Sequence, residues 1–553
     1  MKSTLSTVIT LLLIVLFSSS VLVSQDAVVS GTVRVDATFE NISINYAISQ
    51  DNNRNSVLTI RYREVGSTDY QDAAITMRAY LGMVVDGEET NRNFHAGSIM
   101  FLNPDTTYEL EYNLDDPDGG GSITTQFVNT KAIPQPSATA NVRYVSPGDG
   151  GGNGSLSSPY LGLQEAADNA QQGDIILVSD GNYDPFLMIN SGVAGSPIVF
   201  KSETLHGAII NGGDTDRGII TLGDFDMAIS HIIIDGFYIE NGTWGVDAQN
   251  TQFVTVRNNV IRDVDFGYVN RREDGNERDQ YITNNQILGR SVWPQSGIPS
   301  ERGVDIRGNN NVVSYNTIEY FGDGISTDGP PYETSYSLDI HNNDIKSIVD
   351  DLIEVDGIIS NTRIYANRCF NGRAGISVAP VYGGPAYIMR NIIFNIENSA
   401  LKMNRGPSGI VAVHNTAAAY DNVFESPEGW QNTYFRNNVF LASRYCFEMF
   451  GLVPDSKDDW DYGAYYSTRG GSTNTEWFKW NDIRYAQVPD LQNSGILQAN
   501  AIEVAFSDFE NAELPDVFPV EYDASERNFS PVVNSAVINN DAEVTHLNDA
   551  FVT

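Results

Sequence analysis

Cysteine is nearly absent. Only Cys369 and Cys446 occur in 553 residues, which excludes a disulfide framework and a cysteine-rich zinc site. Basic residues are scarce as well: 33 Lys and Arg stand against 71 Asp and Glu, a formal net charge of −38. Such a chain lacks the basic face that phosphate backbones require, so it is not a general nucleic-acid binder. Long apolar runs are missing apart from one near the start, and that one, Val8 to Phe17, is only about half of the ~20 residues a spanning helix needs. What the chain does have is 41% hydrophobic and 10% aromatic residues, enough for a large core and too many for a disordered chain.

Lys2, the apolar run and then Ser18, Ser19 and Ser20 follow the charged, apolar, small-residue order of a secretory signal peptide. Residues 1–24 are therefore read as an export signal, and the mature protein as periplasmic or secreted, without a membrane span. There the two thiols either pair or stay buried.

Residues 27–130 show short alternating segments such as Thr32–Thr38, Ile42–Ile48 and Ser56–Tyr62, separated by turn residues such as Asp115-Asp116-Pro117-Asp118-Gly119. About seven short strands in ~100 residues predict a small β-sandwich. Leu102-Asn103-Pro104-Asp105-Thr106-Thr107-Tyr108 resembles the Leu-x-Pro-x-Thr-x-Tyr signature of fibronectin type III domains, where the Tyr hydroxyl reaches back to backbone at a sheet corner. Residues 131–142, with Pro134 and Pro136, form a linker.

From Arg143 the chain repeats. Apolar runs end in Asn258, Asn284, Asn316, Asn342, Asn367, Asn391, Asn415 and Asn437, spaced 26, 32, 26, 25, 24, 24 and 22 residues apart. Repetition at that period signals a solenoid, and ~24 residues leave too little room for a crossover helix. Asn suits both a left-handed turn and a side-chain ladder between stacked coils. A second series, including Gly303-Val304-Asp305-Ile306-Arg307, Leu352-Ile353-Glu354-Val355-Asp356 and Ala400-Leu401-Lys402-Met403-Asn404, alternates apolar with polar. The fold expected is all-β: a right-handed parallel β-helix over 143–450, preceded by the sandwich and closed by an aromatic region over 451–553. The stretch Arg143 to Tyr183, with a short amphipathic helix in Pro159–Gln172, resembles the opening of pectin-lyase-like β-helices.

Stacking makes columns. One outward column reads Asp247, Asp305, Ser326, Glu354, Ser377, Lys402; the next reads Gln249, Arg307, Asp328, Asp356, Ala379, Asn404. Between Asp323 and Asp356 there are nine acids and one base; from Gly357 to Tyr420 there are six bases and one acid. Acids at the density of Asp323, Asp350, Asp351 and Glu354 repel unless protons or a cation intervene, and calcium accepts such all-oxygen sites.

Asp323-Gly324-Ile325 followed by Asp350-Asp351-Leu352-Ile353-Glu354 resembles the calcium site of family-nine pectate lyases, with Glu in place of the last Asp and Leu352 in place of Gly. The resemblance implies Asp323, Asp350, Asp351 and Glu354 as calcium ligands. Ser399-Ala400-Leu401-Lys402 resembles the strand that bears that family's Lys base, one coil further along. Chondroitinase B-like and alginate-lyase relatives pair a Lys base with an Arg, a part that Arg405 or Arg307 would play here. Asp305, Asp328, Asp356, Tyr382 and Asn404 are then substrate-binding candidates, and Trp293 is a candidate wall of the groove. His341 and His414 are read as structural.

Proton abstraction beside a uronate carboxylate needs that carboxylate neutralised and a Lys base whose pKa neighbouring cations lower, with Arg405 in that role. The expected function is β-elimination on a uronic-acid polysaccharide or oligosaccharide of the pectate, alginate, ulvan or glycosaminoglycan class, by a monomer. Alternatives are an inverting glycoside hydrolase using paired carboxylates ~6.5–9.5 Å apart, where Asp323 with Asp350 and Asp351 resembles the polygalacturonase set, an oligosaccharide dehydratase, and a non-catalytic sugar-binding solenoid.

Overall fold

The computed structural model describes residues 25–547 apart from 214, 216, 271–276, 296, 328–334, 452–456, 470–474, 496, 515–517, 540, 541 and 545. The expected export signal and Asp328 lie outside the described residues. Among those residues, no helix is long and apolar enough to cross a membrane.

Two antiparallel four-stranded sheets form the N-terminal sandwich. Alternation builds its core: in Thr107–Asp115 every second residue (Tyr108, Leu110, Tyr112, Leu114) is buried. The Tyr108 hydroxyl accepts from the Asn103 N–H at 2.9 Å, holding the bend between sheets.

The rest is a right-handed parallel β-helix of about 11 turns, built on one 14-stranded and one 21-stranded sheet. The helix Leu163–Asn169 caps its first coil through Leu163, Ala166 and Ala167. Inward residues stack in register: Ile239, Ile261, Ile287, Ile318, Ile345, Cys369 and Ile393 succeed one another from coil to coil. Cys369 thus fills an isoleucine position. Both thiols are free and buried, and burial pushes their pKa up.

The asparagine ladder differs from the expected one by a residue in half its rungs. It runs Asn259, Asn285, Asn316, Asn343, Asn367, Asn391, Asn415, Asn438, each backbone N–H donating to the next Oδ1 at 2.9–3.1 Å. In the Asn-Asn pairs the first residue (Asn258, Asn284, Asn342, Asn437) takes positive φ and the second is the rung. Turn and ladder are separate demands, and one side chain cannot meet both. Elsewhere Tyr315, Ala366, Arg390 and His414 take the positive φ. Asn391 also donates from Nδ2 to the Ile364 carbonyl at 2.9 Å. Replacing Asn391 by Ala orphans that buried carbonyl and the N–H of Asn367, and is expected to cost ~2–4 kcal/mol. Denaturant unfolding measures it; a loss within a few tenths of a kcal/mol sinks the view that the ladder holds the coils together.

Trp430, Trp460 and Trp480 close the C-terminal end, with Trp430 stacked on Trp460 at 5.1 Å. The tail does more than close that end. It returns along the solenoid, where Phe529 packs on Phe394 and the Tyr522 carbonyl accepts from Asn371 at 2.8 Å. Further on, His546 reaches the sandwich and accepts from the Met100 N–H at 2.8 Å.

Candidate active site

The strands Asp344–Glu354, Arg368–Ser377 and Ile392–Lys402 turn a corner at Ser347, Asn371 and Asn395, each at positive φ. After the first corner the register is irregular between Ile348 and Asp351. Such a bulge re-aims side chains, and here it leads into Asp350 and Asp351. Both acids lie within a strand rather than in a turn before it. Asp323 opens the strand Asp323–Ser326 one coil below. Ligand oxygens of Asp323, Asp350 and Asp351 all lie within 4.8 Å of one another, and the Asp351 N–H donates to Asp323 Oδ1 at 3.3 Å.

Leu352, at the family's glycine position, does not enter this cluster. It is fully buried, and a Cβ on Gly372 would meet its side chain at 2.2 Å. Gly372 therefore makes the room that Leu352 fills.

Lys402 shares a column with Asp305, Ser326, Glu354 and Ser377. Its Nζ donates to Asp351 Oδ2 at 2.6 Å. Asp351 is fully buried, and its Oδ1 has no hydrogen-bond partner. Burial, with Asp350 and Glu354 nearby, raises the Asp351 pKa to about 7 even though Lys402 opposes the shift. Burial and the charges of Glu354 and Asp351 hold Asp323 well above the usual carboxylate range.

The expected depression of the Lys402 pKa is corrected. Burial disfavours its ammonium, but the Asp351 carboxylate outweighs burial and the pKa lies above the ordinary lysine value. Arg405 does not act on Lys402. It is exposed at positive φ, its N–H donates to Glu428 at 3.0 Å, and its carbonyl accepts from the Asp86 N–H of the sandwich at 2.9 Å. Arg307 does not pair with Lys402 either: it lies beside Asp305 at 3.8 Å, and Asp305 is four coils from Lys402, ~19 Å at ~4.8 Å per coil.

Several expected substrate contacts have other work. Asp305 is fully buried between Arg302, at 3.4 Å, and Arg307. Asp356 Oδ1 accepts from Ser377 Oγ at 2.8 Å and Ala379 N–H at 2.7 Å, which makes it a clamp on the turn. Burial and the charges of Glu354 and Asp351 raise its pKa well above the usual range. Tyr382 faces the sandwich, packed with Ala79, Met83 and Val85. Trp293 is buried edge-on against Phe518 at 5.9 Å and offers no open platform. Asn404 is half-buried at the end of the Lys402 strand, with its Oδ1 lacking a hydrogen-bond partner. Glu354 is outside the three-carboxylate group and accepts from Ser326 Oγ at 2.6 Å.

The basic stretch beyond Gly357 is largely spent on the acidic one. Arg368, Arg373 and Lys402 pair with Asp344, Asp350 and Asp351, and Arg363 pairs with Asp339 under the sandwich. Arg302 is a site residue that the sequence reading misses. It lies 3.4 Å from Asp323 and 3.9 Å from Glu354. Its backbone partner is Asp323, so the signal for it is the column three residues ahead of Asp305.

No known family matches the chain. A cell surface glycoprotein of Methanothermus fervidus is 30% identical over 112 residues, 20% of this chain and 17% of that protein, so the match spans less than a fifth of the relative's length. Among solved structures, the pectate lyase Pel9A is similar at 14% identity, over 74% of this chain and 93% of that one, with a TM-score of 0.39. The alginate lyase from Paenibacillus sp. str. FPU-7 is similar at 15% identity, over 49% and 92%, with a TM-score of 0.28. A family 28 exopolygalacturonase of Yersinia enterocolitica is similar at 10% identity, over 77% and 97%, with a TM-score of 0.24.

Proposed function

We propose that this chain is an exported carbohydrate-active enzyme that cleaves a uronic-acid polysaccharide by β-elimination. One observation carries the reading: Lys402 touches a buried carboxylate that belongs to a three-carboxylate cluster on the outer face of the solenoid. A base and a cation-binding group are the two requirements of that reaction.

The donor set fits a hard cation. All three ligands are carboxylates, and Asp351 Oδ1 is buried without a hydrogen-bond partner, which is costly unless a cation or proton satisfies it. Asp323, Asp350 and Asp351 would hold calcium, and when bound it would neutralise the uronate carboxylate and so acidify the adjacent C–H. Lys402 takes that proton. It does so as the free amine, so the reading requires Asp351 to be committed elsewhere than to the ammonium. Arg302 and Arg373 flank the cluster and orient the anionic sugar.

The hydrolytic reading has its own support. Burial raises the pKa of Asp323 and Asp351, as a general acid needs. Against it, the carboxylates approach within 4.8 Å, closer than the ~6.5–9.5 Å that leaves room for an attacking water. Elimination yields a product that absorbs ultraviolet light; reducing sugar released without absorbance overturns the lyase reading.

Calcium is expected to stabilise the fold more as pH rises. The Asp351 pKa is about 7 folded against 3.8 as its ordinary value. The folded state therefore holds more protons between those values, and this contribution to stability is lost as pH rises through them. A cation bound to the ionised cluster offsets the loss. Added calcium should raise Tm more at about pH 8 than at about pH 5, and Asp350→Asn should abolish the difference. A calcium effect equal at both pH values refutes the site.

A further inference from the structure

A cavity of about 490 Å³ opens on the same sheet, toward the N-terminal end of the solenoid. Arg217, Thr221, Phe225, Trp244, Asp247 and Gln249 line it. Thr221 and Asp247 belong to the column that continues through Val269 and Asp305 to Glu354 and Lys402. The neighbouring column is more telling. Trp244 is the backbone partner of Phe266, Phe266 of Arg302, and Arg302 of Asp323. Trp244 and Phe266 are stacked at 27° and 6.5 Å. An aromatic tract therefore leads from the cavity to the arginine beside the carboxylate cluster over two coil steps, and Asp323 follows at the third, ~14 Å from Trp244 along the stack.

The lining has the chemistry of a sugar site. The ring faces offer flat apolar surface. Gln249 donates to Asp247 at 2.6 Å, which fixes a carboxylate and an amide for hydroxyl groups. Phe225 stands at the rim, 68% exposed, on a turn pinned by Asp224 Oδ1, which accepts from the N–H groups of Asp226 at 2.8 Å and Met227 at 2.7 Å. Phe225 and the half-buried Trp244 line the same cavity, so two ring surfaces are available at one place. Arg217 supplies a cation where the rest of the lining is neutral or acidic.

We infer that this cavity is a saccharide-binding subsite remote from the chemistry. It holds a pyranose ring of a polysaccharide that runs along the solenoid axis over Phe266 and Arg302 to the cluster. The inference rests on the polysaccharide reading above for the class of ligand and deepens it: the preferred substrate is a chain long enough to span both places.

The test uses Lys402→Met protein, which binds without turning over, and calorimetric titration with oligosaccharide ladders from polygalacturonate, alginate and chondroitin. In one ladder the long members are expected to bind about tenfold more tightly than the di- and trisaccharides. Adding Trp244→Ala removes that gain and leaves the short members unchanged. Phe225→Ala, at an exposed position, does the same in part and covers the case in which Trp244→Ala misfolds. With Lys402 intact, Trp244→Ala raises KM for polymer and leaves kcat unchanged. The inference is overturned if the length dependence survives both substitutions, or if no ladder binds. Its failure is separable from failure of the lyase reading: length-dependent binding through Trp244 without an absorbing product refutes the lyase reading alone, and an absorbing product with no role for Trp244 refutes the subsite alone.

Discussion

Lys402→Met is expected to lower kcat/KM by ~10²–10⁴, the range attributed to one positioned acid–base group. The protein should remain folded. Removing the ammonium leaves Asp351 buried without its partner, but a carboxyl whose pKa is already raised to about 7 takes up a proton at modest cost. Lys402→Arg keeps the charge and the pairing with Asp351 but supplies no base at neutral pH. It should be as inactive as Lys402→Met while restoring any lost Tm. Initial rates followed by ultraviolet absorbance, beside thermal melts, separate the two effects. Lys402→Arg retaining most of the activity would make Lys402 a structural cation and remove it from the chemistry.

Arg363→Met should produce the largest loss of stability. Arg363 is fully buried and is paired with Asp339. It donates to Ser43 at 2.6 Å and Ser98 at 3.0 Å in the sandwich. Asp339 in turn accepts from Thr38 at 2.6 Å and Asn41 at 2.9 Å. An ion pair within the solenoid thus holds the sandwich through hydrogen bonds to Thr38, Asn41, Ser43 and Ser98, and breaking it strands a carboxylate in the interface. A cost of ~3–5 kcal/mol is expected. Asp339→Leu added to Arg363→Met should recover much of it, because the stranded charge rather than the lost contact dominates. Denaturant titration, with proteolysis at the linker as a second readout, measures both. A single variant within about 1 kcal/mol of the parent would mean that the Arg363–Asp339 pair does not hold the sandwich in place.

How much is legible in the sequence varies with the physics involved. Periodicity and alternation carry the solenoid, because stacked coils must bury every second residue and repeat the same turn. The column from Asp305 to Lys402 follows from that alternation and the strand pairing reproduces it, but between Asp247 and Asp305 the pairing inserts a coil bearing Val269 that the column as read from the sequence omits. The rung identity in Asn258-Asn259 is not legible, because two adjacent asparagines satisfy the same pattern and only backbone geometry distinguishes turn from ladder. Tyr382 reads as a groove residue because its loop follows the right strand. What covers that loop is a distant segment around Ala79 and Met83, and no local pattern announces a contact across some three hundred residues.

The sequence by itself determined the architecture, the face that bears the acids and the presence of Asp323, Asp350, Asp351 and Lys402 on it. Those depend on a repeat of about two dozen residues and on hydrophobic alternation, both local properties. The tertiary structure decided who touches whom. It set Lys402 against Asp351, gave Arg302 the place beside Asp323, turned Arg405 away and spent Arg363 on the sandwich. Long side chains reach one or two coils along the stack, and burial sets the sign of each carboxyl pKa shift in the cluster. Neither is encoded in spacing. The scarcity of basic residues makes this decisive, because with so few cations the function turns on where each one is placed.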